Sequence, residues 1–186
     1  MQADIENLRQ VALNEDRRTF DTAVNRIVGA RHIYILGARS STHLAGYLHF
    51  YMQMIFENVT LVQSTAAGEI FEQLFRCGEG DVMIALSFPR YSKDTINAVR
   101  FAKSRGVEIV AITDQEQSPV AQMSAAALLA PSEMLSFIDS MTAPLSLINA
   151  LLVGIATKMG TDVTETFSTL ESLWDQYGVF GGADDE

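Results

Sequence analysis

Two stretches decide the fold: Ile33–Ser41 (IYILGARSS) and Ile84–Thr95 (IALSFPRYSKDT). Each begins as an apolar run of strand length. Each then passes into a loop rich in hydroxyls with one arginine, and continues into a helical pattern. In a parallel α/β sheet this arrangement makes an anion site, because the helix after the strand offers unpaired backbone N–H groups and the positive end of its dipole. Ser40, Ser41, Ser87, Ser92 and Thr95 add hydroxyl donors, and Arg39 and Arg90 add fixed positive charge. Two such loops on one sheet predict a pocket for a small phosphorylated ligand.

Outward from these loops the pattern alternates. Strands are expected at 33–36, 59–62, 82–86, 107–112 and 127–130. Helices are expected at 42–56, 68–76 and 93–105, from Ser118-Pro119 onward, at 139–159 and at 164–177. Residues 4–28 read as one amphipathic helix or two. The result is an α/β fold of three layers: a doubly wound, five-stranded parallel sheet with helices on both faces. Ligands in such sheets bind beyond the carboxyl ends of the strands, where both serine loops lie.

Composition narrows the function classes. The chain has 186 residues, 48% of them hydrophobic, and a formal net charge of −10, so no direct nucleic-acid contact is expected of it. The start, MQADIENLRQ, is polar and does not read as a signal peptide. Leu145–Ala156 is too short to span a bilayer. Cys77 is the single cysteine, and no residue pattern points to a metal or other cofactor. A cytoplasmic protein without membrane contact is expected.

The loops also carry a resemblance. Gly37–Ser41, Ser87–Thr95 and the pair Ser132-Glu133 resemble a SIS (sugar isomerase) domain over roughly residues 30–157. ARHIYILGARSS, SFPRYSKDT and SFIDSMTAPLSLINALL look closest to the phosphosugar-sensing half of RpiR-type transcription regulators. The resemblance implies a flavodoxin-like SIS fold, with residues 1–30 as a helical connector, 31–180 as the phosphosugar-binding domain and 181–186 as a disordered tail. The helix-turn-helix module that precedes the connector in such regulators is not present in this sequence. In the family's first loop, glycine-x-glycine-x-serine, Gly37 and Ser41 match while Arg39 replaces the second glycine. In the second, Ser87, Ser92, Asp94 and Thr95 match, while Pro89 replaces a serine and Arg90 a glycine. The family likeness makes Glu133 the candidate catalytic base and puts Glu69 at the pocket border; His43 and His49 lie on the helix after the first loop.

Three functions fit this pattern. The first is an effector-sensing domain that binds a phosphorylated sugar or amino sugar as a homodimer or homotetramer. The second is a stand-alone sugar-phosphate isomerase of the hexulose-phosphate type, with Glu133 moving a proton between adjacent carbons. The third is an interaction domain with a degenerate pocket.

Overall fold

The computed structural model describes residues 1–14, 16–63, 68–135 and 138–180. Five parallel strands stand in the order β2-β1-β3-β4-β5. They are β1 (Ile33–Gly37), β2 (Val59–Val62), β3 (Val82–Leu86), β4 (Glu108–Thr113) and β5 (Ala126–Leu129). Every residue of β1 and β3 is buried, which is why both read as nearly unbroken apolar runs. Ile33 pairs with Val59 on one side and Val82 on the other. After β2 the chain crosses to the far side of β1, so the direction of winding reverses between β1 and β3. The two serine loops leave from these adjacent strands, at the switch point.

Alternate side chains of the strands enter two cores. Ile33, Ile35 and Ile84 pack with Leu48, Ile27 and Leu147. That layer comprises α1 (Gln2–Asn14), α2 (Arg17–Val28), α3 (Ser41–Ile55) and α6 (Thr142–Met159). Tyr34, Leu36 and Met83 face the opposite layer, α4 (Glu69–Leu74) and α5 (Lys93–Ser104), through Leu74 and Val99. A last helix, α7 (Thr161–Tyr177), packs on α3 and α6.

The N-terminal segment is two helices. Asp16 starts the second, its carboxylate accepting from the N–H groups of Arg18 and Thr19. Ala23, Val24 and Ile27 bury α2 in the main core. The contact between α2 and α6 is close at Gly154, where an added Cβ would lie 2.9 Å from the Phe20 ring. Helix α6 is apolar enough to resemble a membrane span by length and composition. Seven of its residues, among them Leu147, Ile148 and Leu151, are buried in the protein's own core.

Two expectations need correction. No full helix follows Ser118-Pro119; a 3₁₀ turn at Ala121–Met123 stands there. Ser124 closes it, its N–H and hydroxyl both donating to the Ala121 carbonyl, and the chain is then recruited by β4. The long apolar helix begins at Thr142, not Asp139. A start at Asp139 would place Pro144 inside the helix, where its missing N–H costs a hydrogen bond; a start at Thr142 keeps it in the first turn. Ile138–Asp139 instead forms a strand, β7, antiparallel to β6 (Met134–Leu135). The tail from residue 181 onward lies outside the described residues.

Candidate ligand-binding site

The first loop is built on Gly37. A Cβ there would sit 2.5 Å from the Ser41 carbonyl oxygen, so only glycine lets α3 start this close to β1. The Thr42 hydroxyl donates to the Gly37 carbonyl at 3.0 Å and fixes the turn. The second loop is held from β4: the Ser87 N–H donates to the Ile112 carbonyl at 3.1 Å. Beyond it, the Tyr91 hydroxyl donates to the Asp114 carboxylate at 2.8 Å.

Both arginines are in unusual backbone conformations. Arg39 has φ +58° and Arg90 φ +66°, and among the described residues they are the only non-glycines with positive φ. The left-handed region costs an L-residue about 1–2 kcal/mol. The loops therefore demand a turn that glycine makes freely, and the chain places a guanidinium at each one instead. Strain of this kind persists where the surroundings over-determine it, and it clusters at functional sites.

Arg39, Ser40, Ser41, Ser87, Arg90, Ser92 and Thr95 line one cleft between the two loops, with free space of about 30 Å³. That holds one small polar group. Ser40 and Ser92 stand at the starts of α3 and α5 but make no side-chain capping bond. Their hydroxyls are thus not spent on the helix ends. Ser41 and Ser87 are buried, and Thr95 is 1% exposed. The Thr95 Oγ1 is buried with no hydrogen-bond partner, although an orphaned buried hydroxyl costs free energy. A larger cleft of about 630 Å³ adjoins the first and shares Arg39 and Ser92 with it. Thr42, Gln63, Asp94, Asn97 and Phe71 line this second space. Its size falls within the range of small-molecule sites.

Sequence reasoning missed Asp139. This carboxylate lines the small cleft from β7 and accepts from Arg90 Nη2 at 3.1 Å. Its side chain is 7% exposed against 63% for Arg90. Pro144 was the available signal, since it forces the helix to start late and leaves Asp139 in an extended segment.

Two expected site residues stand apart from the cleft. Glu69 is the half-buried first residue of α4; its neighbours Gly68 and Ile70 line the larger space. Glu133 is exposed between β5 and β6 and lines neither cleft. On α3, His43 is exposed and His49 half-buried, with burial pushing the His49 imidazole pKa down. Cys77 is fully buried and burial pushes its thiol up, which makes it a packing residue, not a nucleophile. Among the described residues no group of three or more His, Cys, Asp or Glu could hold a metal ion.

Proteins of known structure share this fold. The sugar isomerase domain of the RpiR transcription factor from Sphaerobacter thermophilus superposes with a TM-score of 0.86 at 26% identity, covering 92% of this chain and 95% of that one. The Vibrio vulnificus NanR protein complexed with ManNAc-6P superposes at 0.82 with 20% identity, over 97% of this chain and 68% of that one. A curated relative is the isomerizing glutamine–fructose-6-phosphate aminotransferase of Pyrobaculum aerophilum, 31% identical over 120 residues. The match takes in 64% of this chain but only 19% of that enzyme. The family model of the SIS domain matches residues 26–154, from the end of α2 through both serine loops and most of α6, and the chain belongs to that family.

Proposed function

We propose that this chain is a phosphosugar-binding domain acting as the effector-sensing module of an RpiR-type transcription regulator. The observation that carries the reading is the small cleft: two left-handed arginines and the orphaned Thr95 hydroxyl surround space for a single polar group. A phosphate dianion there would accept from Thr95, Ser41, Ser87 and Ser92, pair with Arg39 and Arg90, and meet the N-terminal ends of α3 and α5. The sugar body would extend into the larger cleft, where Asp94, Asn97, Gln63 and Thr42 can bond its hydroxyls. The NanR protein bound to ManNAc-6P shares the fold, which supports a phosphorylated sugar or amino sugar as the ligand class.

Sensing requires only that the ligand bind one arrangement of the protein better than another. No acid–base pair need act on the sugar. An overall charge of −10 disfavours DNA contact by this chain itself, so a DNA-binding module would be a separate unit. The reading includes a homo-oligomer and a cytoplasmic setting, as befits a regulator that meets both metabolite and DNA.

The test is a melting-temperature screen with phosphorylated sugars and amino sugars against their unphosphorylated counterparts. A ligand that binds only the folded state raises the melting temperature by mass action. Phosphosugars at millimolar level should shift melting and free sugars should not; equal shifts, or none, would overturn the reading.

Likeness to the isomerizing aminotransferase supports a second reading, a sugar-phosphate isomerase. Glu133 would then be the base, yet within one chain it lies outside both clefts. NMR in heavy water decides between the two. Exchange of the proton beside the sugar carbonyl that is lost in Glu133→Gln would establish the isomerase.

A further inference from the structure

The Arg90–Asp139 pair places a carboxylate inside a cleft otherwise furnished for an anion. Asp139 Oδ2 takes Arg90 Nη2 at 3.1 Å, and Asp139 Oδ1 is buried without a partner. A phosphate seated on Thr95 and Arg90 would be a second anion within reach of the same guanidinium, and like charges in one site repel. Arg90 is the exposed member, at 63% on a long side chain; Asp139 is the enclosed one. If Arg90 turned to phosphate while Asp139 stayed, both carboxylate oxygens would be buried and unpaired, a costly state for a charge. A phosphate that draws Arg90 away therefore favours displacement of Asp139. The strand that carries it is two residues long and, among the described residues, pairs with Met134 and Leu135 alone.

The next residue is tied to the N-terminal helix. The Ser140 hydroxyl donates to Asp4 Oδ1 at 2.5 Å, joining β7 to α1 across the sequence. Helix α1 lies on α6, and its one buried residue is Asn7, whose Nδ2 has no partner. We infer that Asp139 is an internal counter-anion of the cleft, displaced from Arg90 by an incoming phosphate, and that the displacement reaches α1 through Ser140 and Asp4. The inference rests on the proposed phosphate site and adds to it a residue that sets affinity and an exit for the signal.

Titration of the full chain with inorganic phosphate tests it. Asp139→Asn removes the competing charge and keeps the shape, so phosphate should bind more tightly, by on the order of tenfold. Should that variant melt below the assay temperature, Asp139→Ser removes the charge with a smaller side chain. Amide exchange across residues 2–14 gives the second readout. Saturating phosphate should speed exchange in α1 of the wild type; in Ser140→Ala, α1 should already exchange fast and phosphate should add nothing.

Equal or weaker phosphate binding by the Asp139 variants would make Asp139 a prop for Arg90 and overturn the inference while leaving the phosphate site standing. Unchanged α1 exchange in phosphate-bound wild type would overturn the route to α1. Absence of phosphate binding in every variant would remove the phosphate site itself, and the inference with it.

Discussion

The hydroxyl of Thr113 donates to the carbonyl oxygen of Ser87 at 2.6 Å, so the end of β4 holds the backbone of the second loop where it leaves β3. Thr113 is fully buried. Thr113→Val keeps the shape but leaves the Ser87 carbonyl without this donor, at a cost of about 1–3 kcal/mol. Denaturant melts should show that loss. Phosphosugar affinity should fall as well, because the loop is no longer fixed; a variant with native affinity would mean that the loop positions itself.

The orphaned Thr95 hydroxyl gives a prediction of opposite sign for stability and binding. Thr95→Val removes a buried polar atom that has no partner, so folding stability should hold or rise, by up to about 1 kcal/mol. Binding of a phosphosugar should weaken. Ser87→Ala and Ser92→Ala should likewise weaken binding, by about 1.5–3 kcal/mol for each charge-assisted bond lost, with little change in melting. Loss of folding in place of loss of binding would return these residues to a purely structural role.

Arg39 tests whether backbone strain is retained for charge. Arg39→Gly relieves the φ of +58° and should stabilise the fold by about 1 kcal/mol. It also removes a guanidinium shared by both clefts, so phosphosugar affinity should drop. Calorimetry on the same preparation measures both quantities. A destabilised variant would show that Arg39 earns its place by packing.

Self-association is expected from apolar surface left outside. Phe50 on α3, Val153 on α6 and Leu173 on α7 are 50%, 66% and 44% exposed. Light scattering at tens of micromolar should find a dimer or larger species; a clean monomer refutes this. Charged replacements at Phe50 and Val153 should shift the equilibrium towards monomer if these positions lie in the contact.

How much was legible in the sequence follows from what local pattern encodes. β1 and β3 were readable because strands buried on both faces leave apolar runs bounded by polar loops. The two loops were readable because hydroxyls and one arginine follow each run. The left-handed backbone at Arg39 and Arg90 was signalled only by the glycines that the family resemblance puts there. Asp139 could not be placed from periodicity, since an apolar helical pattern runs on through it and only Pro144 marks the true start. The short turn after Ser118 was lost to a tertiary effect, the pairing of Ala126–Leu129 with β4. Glu133 was named by likeness, and nothing in its own neighbourhood of sequence says whether it faces a cleft.

The bare backbone at Gly154 has a mechanical consequence. With the Phe20 ring seated where a side chain would be, α2 cannot slide along α6 without driving that ring into the main chain. The two helices form one stiff bar against the sheet.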